Sequence, residues 1–291
     1  MPELPEVETI ASGVHARVQG DRIVEAWFGR HKEPFKTSPA RQACGLEGRI
    51  LHSIRRIGKH IVCNLADEPQ DGPDEPGKNG SGNRPTAGIT AQWIVHLGMT
   101  GRLLVTTPDA GIAPHTHARL RLASGKEIRF VDPRRFGRLE LRDLSREASF
   151  AASGAEPLTI APQEFAALFR GRKLAIKAAL LNQSLLSGVG NIYADESLFR
   201  AGIRPRRQAG RLTRSELASL HAALQQVLRQ AIQLGGSSVS DYVDAEGVRG
   251  FFQLEHCVYA REDQPCRHCG LPIRKIVLAG RGTHYCPVCQ R

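Results

Sequence analysis

The first residues of the chain combine an amine nucleophile with carboxylates. The sequence begins with Met1, Pro2 and Glu3, and Glu6 follows one helical turn later. Removal of Met1 would leave Pro2 with a free secondary amine, and an α-amino group with a pKa of about 8 is partly neutral at pH 7. Such an amine attacks an aldehyde-like carbon to give an iminium ion, and adjacent carboxylates can transfer protons. The same residues also suit an ordinary helix start.

Four cysteines near the C-terminus have the spacing of a metal site. Two C-x-x-C pairs are separated by sixteen residues, a pattern that predicts a four-thiolate zinc site. Four thiolates fill the coordination sphere, so one structural Zn²⁺ ion is expected. The predicted ligands are Cys266, Cys269, Cys286 and Cys289. The remaining cysteines, Cys44, Cys63 and Cys257, are expected to be small apolar packing residues.

The segment between the two cysteine pairs predicts a β-hairpin. Residues 274–278 and 283–285 read as strands, and Gly280-Arg281-Gly282 would be the turn that joins them. Arg281 would then lie at the hairpin tip, where its forked guanidinium could bind a phosphate. An ordinary solvated turn arginine is the simpler interpretation.

Size and charge limit the class of protein. The chain has 291 residues, enough for two domains, and 40 Lys and Arg against 29 Asp and Glu give a net charge of +11. This excess suggests a polyanionic partner, most simply nucleic acid, although membranes also attract positive charge. The sequence contains no apolar run that could span a bilayer and no secretory signal. Unpaired thiols and a metal site favour the cytoplasm.

The elements that must position these residues change along the chain. An amphipathic helix at the start is followed by short apolar runs with turns between them, which predict an N-terminal β-sandwich with flanking helices. Helical patterns dominate later, so the fold class is predicted to be α+β. The strands are expected at 22–27, 61–65, 93–97, 118–122 and 127–131.

Composition predicts the domain boundaries. Residues 1–140 would form the catalytic sandwich domain, and 141–157, which are polar with small residues, would form a hinge. Residues 158–262 would form a helical domain and 263–291 the zinc finger. Residues 67–88 are rich in Gly and Pro and almost without apolar side chains, so we expect a flexible insertion there.

Two helices with a glycine-containing turn are predicted in the second domain. The sequence predicts helices over 174–186 and 192–200, with Asn191 as the N-cap of the second. Free amides at that N-terminus could bind a phosphate, and Arg172, Lys173 and Lys177 add positive charge. Because helix pairs of this kind also occur in proteins that do not bind DNA, this pattern leaves DNA binding open. Farther on, a capping box predicts a helix start at Thr213.

Six separated motifs, taken in order, resemble the formamidopyrimidine-DNA glycosylase family. The resemblance covers the whole chain except residues 67–88. The motifs are residues 1–8, 58–59, 96–101, 132–137, 188–196 and the zinc hairpin with Arg281. It implies a helix-two-turns-helix domain that ends in a β-hairpin zinc finger. It also implies a bacterial, nucleoid-associated monomer with damaged double-stranded DNA as its partner and no required protein partner.

The resemblance implies a bifunctional glycosylase and abasic-site lyase of base-excision repair. It would excise 8-oxoguanine and formamidopyrimidines from duplex DNA and cleave the strand by β,δ-elimination. Pro2 would be the Schiff-base nucleophile, and Glu3 the proton donor to the opening sugar. Glu6 would be a second carboxylate that handles protons near the sugar. Lys59 would act in β-elimination and hold a phosphate, and Arg281 would act in δ-elimination, mainly by stabilising phosphate charge.

The resemblance also implies residues that contact DNA. A flipped nucleotide leaves a hole in the duplex, which Met99, Arg134 and Phe136 would fill. Residues 235–252 match a mobile loop that covers the flipped purine in the family, although a plain helix-to-strand connection explains them equally well. The other DNA-contacting positions would be His115, Arg134, Arg172, Lys177 and Asn191.

Two alternatives remain at this point. A related endonuclease VIII-like enzyme would use the same proline chemistry on oxidised pyrimidines. Leu4, the continuation Glu6-Val7-Glu8-Thr9 and the lid-like loop favour the purine enzyme. A non-catalytic zinc-finger protein would bind DNA without any dependence on Pro2 or Lys59.

Overall fold

The first helix and a sandwich of strands form the N-terminal part of the protein. The computed structural model describes residues 1–29, 34–67, 88–238 and 242–291, so most of the predicted insertion at 67–88 lies outside the described residues. Helix α1 (Leu4–Val18) buries the apolar stripe of Val7, Ile10 and Val14. Pro5 occupies its first turn, where the missing N–H of proline costs no hydrogen bond.

The strands of the N-terminal part form two antiparallel sheets within the described residues. In chain order they are β1 (Ile23–Phe28), β2 (Ile50–Ile57), β3 (His60–Ala66), β4 (Ile89–His96), β5 (Arg102–Thr106), β6 (Thr116–Leu122), β7 (Glu127–Val131) and β8 (Arg138–Asp143). One sheet has the order β1-β6-β7-β5 and the other β2-β3-β4-β8. Trp93, Leu103 and Phe130 are buried between them. The predicted sandwich is therefore confirmed, and helix α2 (Pro39–Leu46) packs on β1 and β8.

Both ends of the predicted hinge, residues 141–157, are bonded to neighbouring elements. Strand β8 pairs with β4 as far as Asp143, and Leu141 is buried in the sandwich core. At the other end, the Ala155 N–H donates to the Leu185 carbonyl of the helical domain at 3.0 Å. The segment without such anchors is therefore shorter than 141–157.

The second part of the chain is helical. Its helices are α3 (Pro162–Phe169), α4 (Ile176–Leu180), α5 (Asn191–Arg200) and α6 (Arg214–Gln233). The capping box at the start of α6 is confirmed, because Thr213 and Glu216 exchange hydrogen bonds between side chain and backbone. None of the described helices is both long and apolar enough to cross a membrane.

The predicted helix over 174–186 is wrong in length. Helix α4 ends at Leu180, and residues 181–186 form turns. Asn182 provides the physical reason, because its Oδ1 accepts hydrogen bonds from the Ser184 N–H at 3.0 Å and the Ser184 hydroxyl at 2.7 Å. Side-chain bonds of this kind compete with helix continuation.

The C-terminal hairpin consists of β9 (Arg274–Leu278) and β10 (Arg281–Tyr285). Arg281 pairs with Leu278, so the turn is Ala279-Gly280 and not residues 280–282 as predicted. Both turn residues have positive φ, 50° and 70°, as a two-residue hairpin turn of this type requires. Arg281 is therefore the first residue of β10.

The remaining cysteines differ from one another. Cys63 is buried in the sandwich core, as expected, and burial raises the pKa of its thiol to about 12. Cys257 is partly buried, whereas Cys44 is exposed, so its predicted packing role is wrong.

Candidate active site and DNA-binding surface

A cavity of about 340 Å³ brings together residues from distant parts of the chain. Pro2 and Glu3 precede α1, Lys59 lies in the turn between β2 and β3, and Arg281 begins β10. Met99 and Asn191 also line this space. The structure thus places the predicted nucleophile, proton donor, lysine and hairpin arginine around one cavity.

The N-terminus opens onto this cavity. Pro2 is buried, whereas Met1 is 49% exposed and lines the cavity. The N–H of Leu4 donates to the Gly188 carbonyl at 3.0 Å, which fixes the start of the chain against the turn before α5. Removal of Met1 would leave the Pro2 amine at the cavity wall without displacing any described core residue.

Glu3 lies between the starts of two helices. It is the N-cap of α1, and its Oε1 accepts a hydrogen bond from the Ile192 N–H in the first turn of α5 at 3.1 Å. Gly190 makes this approach possible, because a Cβ atom there would lie 2.1 Å from the Glu3 carboxyl carbon. Burial raises the pKa of Glu3 to about 7, with Lys59 opposing and Glu6 reinforcing the rise. A carboxyl with this pKa can donate a proton near neutral pH.

Glu6 is occupied by hydrogen bonds on several sides. Its Oε2 accepts from the Glu3 N–H at 2.8 Å, and its Oε1 accepts from the Ser237 N–H at 2.7 Å and from the Tyr193 hydroxyl. Burial raises the pKa of its carboxyl, and these hydrogen bonds oppose the rise. The contacts join α1, α5 and the segment after α6. This geometry favours a positioning role for Glu6 over the predicted handling of protons.

Lys59 lies in a turn that a buried arginine holds. Gly58, with a φ of 60°, allows the tight turn, and Arg56 Nη1 donates to the Gly58 carbonyl at 3.2 Å. Arg56 also forms ion pairs with Glu8 at 2.7 Å and Glu156 at 2.8 Å. Burial lowers the pKa of Lys59, with Glu3 opposing this effect and Arg281 adding to it. A larger neutral fraction lets the amine accept a proton. Sequence reasoning missed Arg56, because only the fold brings its partners together.

The four predicted zinc ligands converge. The Sγ atoms of the two C-x-x-C pairs all lie within 4.8 Å of one another, and two of these cysteines are buried. Four clustered thiolates suit a tetrahedral structural zinc. The metal site is therefore confirmed as a zinc site, held by Cys266, Cys269, Cys286 and Cys289.

We predict that Cys286→Ser removes the zinc and loosens the hairpin. The ion supplies folding free energy that so short a segment cannot obtain from its own core. Zinc content should fall from one ion per chain to near zero, and amide exchange in β9 and β10 should accelerate. The exposed Cys44 provides a matched control, since Cys44→Ser should change neither quantity. Full zinc content in the Cys286 variant would contradict the assignment.

Two buried carboxylates on α5 attach the zinc finger to the helical domain. Asp195 Oδ2 accepts from the His284 N–H at 2.9 Å, and its Oδ1 lies 2.7 Å from Lys177 Nζ. Glu196 accepts from the backbone N–H groups of residues 257–259 at 2.8 to 2.9 Å. These contacts fix the hairpin that carries Arg281. In the sequence, Asp195 and Glu196 stand out only as two adjacent acidic residues in the motif at 188–196, and nothing there indicates that they bind the zinc finger.

Lys177 belongs to this attachment and not to the surface. It is fully buried, and its Nζ donates to the Gly282 carbonyl at 2.9 Å and the Thr283 hydroxyl at 2.8 Å. With the Asp195 ion pair on a third side, the ammonium group is surrounded by protein partners. The predicted phosphate contact of Lys177 is therefore not supported by the structure.

We predict that Lys177→Met destabilises the protein by about 3–5 kcal/mol, because it leaves the buried Asp195 carboxylate without its partner. Chemical denaturation would measure the loss. Lys173→Met removes an exposed lysine from the same segment and should cost less than about 1 kcal/mol. Equal stability of the two variants would show that the buried pair contributes little.

Asn191 also differs from its prediction. The N-cap of α5 is Gly190, and Asn191 is the first helical residue. Its Nδ2 donates to the Gly282 carbonyl at 3.0 Å, next to Arg281. Asn191 lines the cavity, so its side chain connects the start of α5 to the hairpin.

The predicted hole-filling residues lie on two loops that Asp132 joins. Met99 is 42% exposed and Phe136 50% exposed, and the guanidinium carbon of Arg134 lies 4.8 Å from the Phe136 ring centroid. The buried Asp132 accepts from the Thr100 hydroxyl at 2.6 Å and the Gly137 N–H at 2.8 Å. Exposed apolar side chains on fixed loops are suited to insertion into a base stack.

Two further predicted DNA contacts, His115 and Arg172, have exposed side chains. Part of the predicted lid, residues 235–252, lies against the cavity. In the segment 235–252, the Gly250 N–H donates to the Ser238 hydroxyl at 2.9 Å, and Ser237 and Tyr242 line the cavity. Residues 239–241 of this predicted lid lie outside the described part of the chain.

Comparisons with known proteins give a consistent result. Residues 1–139 match the formamidopyrimidine-DNA glycosylase N-terminal domain, 154–243 its H2TH domain, and 263–291 a zinc finger found in FPG and IleRS. Formamidopyrimidine-DNA glycosylases of Solibacter usitatus and Gluconobacter oxydans are 41% and 43% identical over the full length of both chains.

Solved structures agree with these matches. Lactococcus lactis Fpg bound to DNA with an abasic site has a TM-score of 0.82 at 32% identity, covering 99% of both chains. The MutM (Fpg) protein of Thermus thermophilus has a TM-score of 0.78 at 37% identity, covering 99% of this chain and 98% of that one.

Proposed function

The chain belongs to the formamidopyrimidine-DNA glycosylase family, and we propose that its cavity excises oxidised purines through Pro2. The protein is a DNA glycosylase that acts on oxidised purines, 8-oxoguanine and formamidopyrimidines, in base-excision repair. The observation that carries the proposed chemistry is the meeting of Pro2, Glu3 and Lys59 at one cavity beside the loops of Met99 and Phe136.

The proposed reaction begins after Met1 is removed. The neutral Pro2 nitrogen attacks C1′ of the flipped nucleotide, and the C1′–N bond electrons leave with the base. The Pro2 nitrogen then loses its N–H proton, and the departing base anion takes up one proton, so that the nitrogen lone pair is free to form the iminium. Glu3 donates its proton to the ring oxygen of the sugar, so the ring opens and an iminium ion remains on Pro2. The low-dielectric cavity keeps that proton on Glu3 until it is needed.

Strand cleavage would follow from the same intermediate. The iminium ion acidifies the C2′ proton, the amine of Lys59 removes it, and the 3′ phosphate leaves. A second elimination releases the 5′ phosphate, and hydrolysis of the iminium frees Pro2. Arg281, exposed at the start of β10, stabilises the charge of the departing phosphate, since a guanidinium remains protonated at neutral pH.

DNA binding is proposed to use the exposed basic surface. His115, Arg134 and Arg172 would contact the duplex, with Lys59 and Asn191 near the flipped nucleotide. Each neutralised phosphate lowers the slope of log K against log salt by about 0.9. For the four cations Lys59, Arg134, Arg172 and Arg281 we expect a slope of about −3 to −4 on a lesion-containing duplex. A flat salt response would contradict the proposed contacts.

A comparison of two lesions tests the substrate class. Side-by-side reactions on an 8-oxoguanine duplex and a thymine-glycol duplex should show clear preference for the oxidised purine. A preference for the pyrimidine lesion would favour the endonuclease VIII-like alternative.

We also propose that the protein acts as a monomer, without a required protein partner, on the nucleoid in the bacterial cytoplasm. Light scattering of the protein on its duplex should then show one chain per DNA.

A further inference from the structure

A second groove, of about 490 Å³, lies across the loop of residues 132–137 from the catalytic cavity. Pro133 and Arg135 line this groove, whereas Met99, which is joined to the same loop through Thr100 and Asp132, lines the cavity. Among the residues that the structure describes, none that lines the groove is acidic. The side chains around it are Trp27, His115, Thr116, His117, Pro133 and Arg135.

Trp27 gives this groove an aromatic wall. It lies on the solvent face of β1 and is 43% exposed, whereas the other tryptophan of the chain, Trp93, is 1% exposed. The guanidinium carbon of Arg119 lies 6.0 Å from the Trp27 ring centroid, and Glu127 fixes that guanidinium through hydrogen bonds of 3.0 and 3.1 Å. A solvent-exposed indole beside a fixed guanidinium is suited to packing against a sugar or base of a nucleic acid.

Two side chains that carry nitrogen donors line the same groove. His115 and Arg135 are non-glycine residues with φ angles of 64° and 56°, a conformation that the surrounding structure must impose. Asp132 imposes it on both, because its N–H donates to the His115 carbonyl at 3.0 Å and its carbonyl accepts from the Arg135 N–H at 3.3 Å. Both side chains are exposed. One buried residue therefore fixes the backbone of both side chains.

We propose that this groove binds the DNA strand opposite the damaged nucleotide. A phosphate of that strand lies between His115 and Arg135, and its deoxyribose packs on the Trp27 ring. The inference rests on the proposed function: a duplex seated over the loop of residues 132–137 presents its damaged strand to the cavity and its other strand to the groove. Charge and continuity with the Met99 and Phe136 loops both favour this occupant.

Tryptophan fluorescence tests the aromatic contact. Binding of a duplex with a non-cleavable tetrahydrofuran abasic analogue should change the emission of the wild-type protein and protect it from iodide. Trp93 is buried, so both effects should vanish in Trp27→Phe. Trp27→Ala should weaken binding about tenfold, equal to about 1.4 kcal/mol, at an unchanged salt slope. Val24→Ala removes exposed apolar surface from the same strand outside the groove and should leave affinity unchanged.

Salt dependence tests the phosphate contact and its strand. Arg135→Ala should reduce the salt slope by about 0.9, the effect of one phosphate, whereas Arg121→Ala, on neighbouring β6, should not. A neutral methylphosphonate at one position of the undamaged strand should cancel the effect of Arg135→Ala. Cancellation by a methylphosphonate in the damaged strand instead would overturn the proposed occupant.

The outcomes separate this proposal from the proposed function. The groove proposal alone would be overturned by three results together. The wild-type protein would excise 8-oxoguanine, its tryptophan emission would not change on DNA binding, and Trp27→Ala would keep full affinity. Wild-type protein that neither binds lesion duplex nor excises the base would overturn both.

Discussion

Replacing Pro2 with glycine is expected to abolish base release while leaving DNA binding intact. A secondary amine forms an iminium ion that stays positively charged, whereas the primary amine of glycine forms an imine that can lose its charge. Glycine also lacks the ring that fixes the amine at the cavity wall. Because the glycine amine is neither fixed at the cavity wall nor held in the charged iminium form, we expect a fall of at least about 10³-fold in single-turnover excision of 8-oxoguanine.

A matched proline gives the control. Pro5 lies in the first turn of α1 and does not line the cavity, so Pro5→Ala should keep most of the activity. Both variants should bind a lesion duplex as tightly as the wild-type protein. Excision by the Pro2 variant at the wild-type rate would show that the nucleophile lies elsewhere. It would also fit the alternative in which the N-terminal residues only start a helix.

Replacing Glu3 with glutamine is expected to lower excision by about 10² to 10⁴-fold, the usual contribution of a positioned proton donor. In the wild-type protein the rate should fall as pH rises above about 7, because burial raises the pKa of Glu3 to about 7 and the protonated form is required. The glutamine variant should lose this limb of the pH profile. An unchanged profile in the variant would assign the proton transfer to another group.

Glu3→Gln, which is expected to lower activity, should raise stability relative to the wild-type protein as the pH increases. Because the pKa of Glu3 is raised on folding, the folded protein holds a proton between pH 4.5 and about 7 that the unfolded chain has released. Stability therefore falls as pH rises through this range. The rise from 4.5 to about 7 corresponds to about 3 kcal/mol at 1.36 kcal/mol for each pKa unit. Glu3→Gln should thus gain up to about 3 kcal/mol over the wild-type protein on going from pH 4 to pH 8, measured by denaturation.

Local sequence patterns were sufficient to predict features that depend only on residues within one helix or one short motif. The apolar stripe of α1 and the capping box of α6 depend on neighbours three and four residues away, and both were predicted correctly. The zinc ligands were found for a similar reason, because their spacing within each pair is itself the signal. Strand β2 was missed because Arg55 and Arg56 interrupt its apolar pattern, although Arg56 is buried by its ion pairs.

Contacts between distant segments could not be predicted in this way. Lys177 lies in a basic segment, where a lysine is expected to be exposed and to bind phosphate. Only the fold shows that Asp195 and the zinc hairpin surround it. Asn191 was expected to cap a helix and instead binds Gly282, ninety-one residues away. The pKa of Glu3 likewise depends on burial by α5, which no pattern near residue 3 reveals. The resemblance to a family supplied the proposed roles, and the structure shows which of these residues line the cavity.

Borohydride trapping on an 8-oxoguanine duplex, with mass mapping of the cross-linked peptide, tests directly whether Pro2 is the nucleophile. The reagent reduces the iminium ion to a stable amine, so the DNA remains attached to the residue that attacked C1′. We expect one adduct, on the nitrogen of Pro2 in a chain that has lost Met1. An adduct on Lys59, or no adduct under conditions in which the protein binds the duplex, would contradict it.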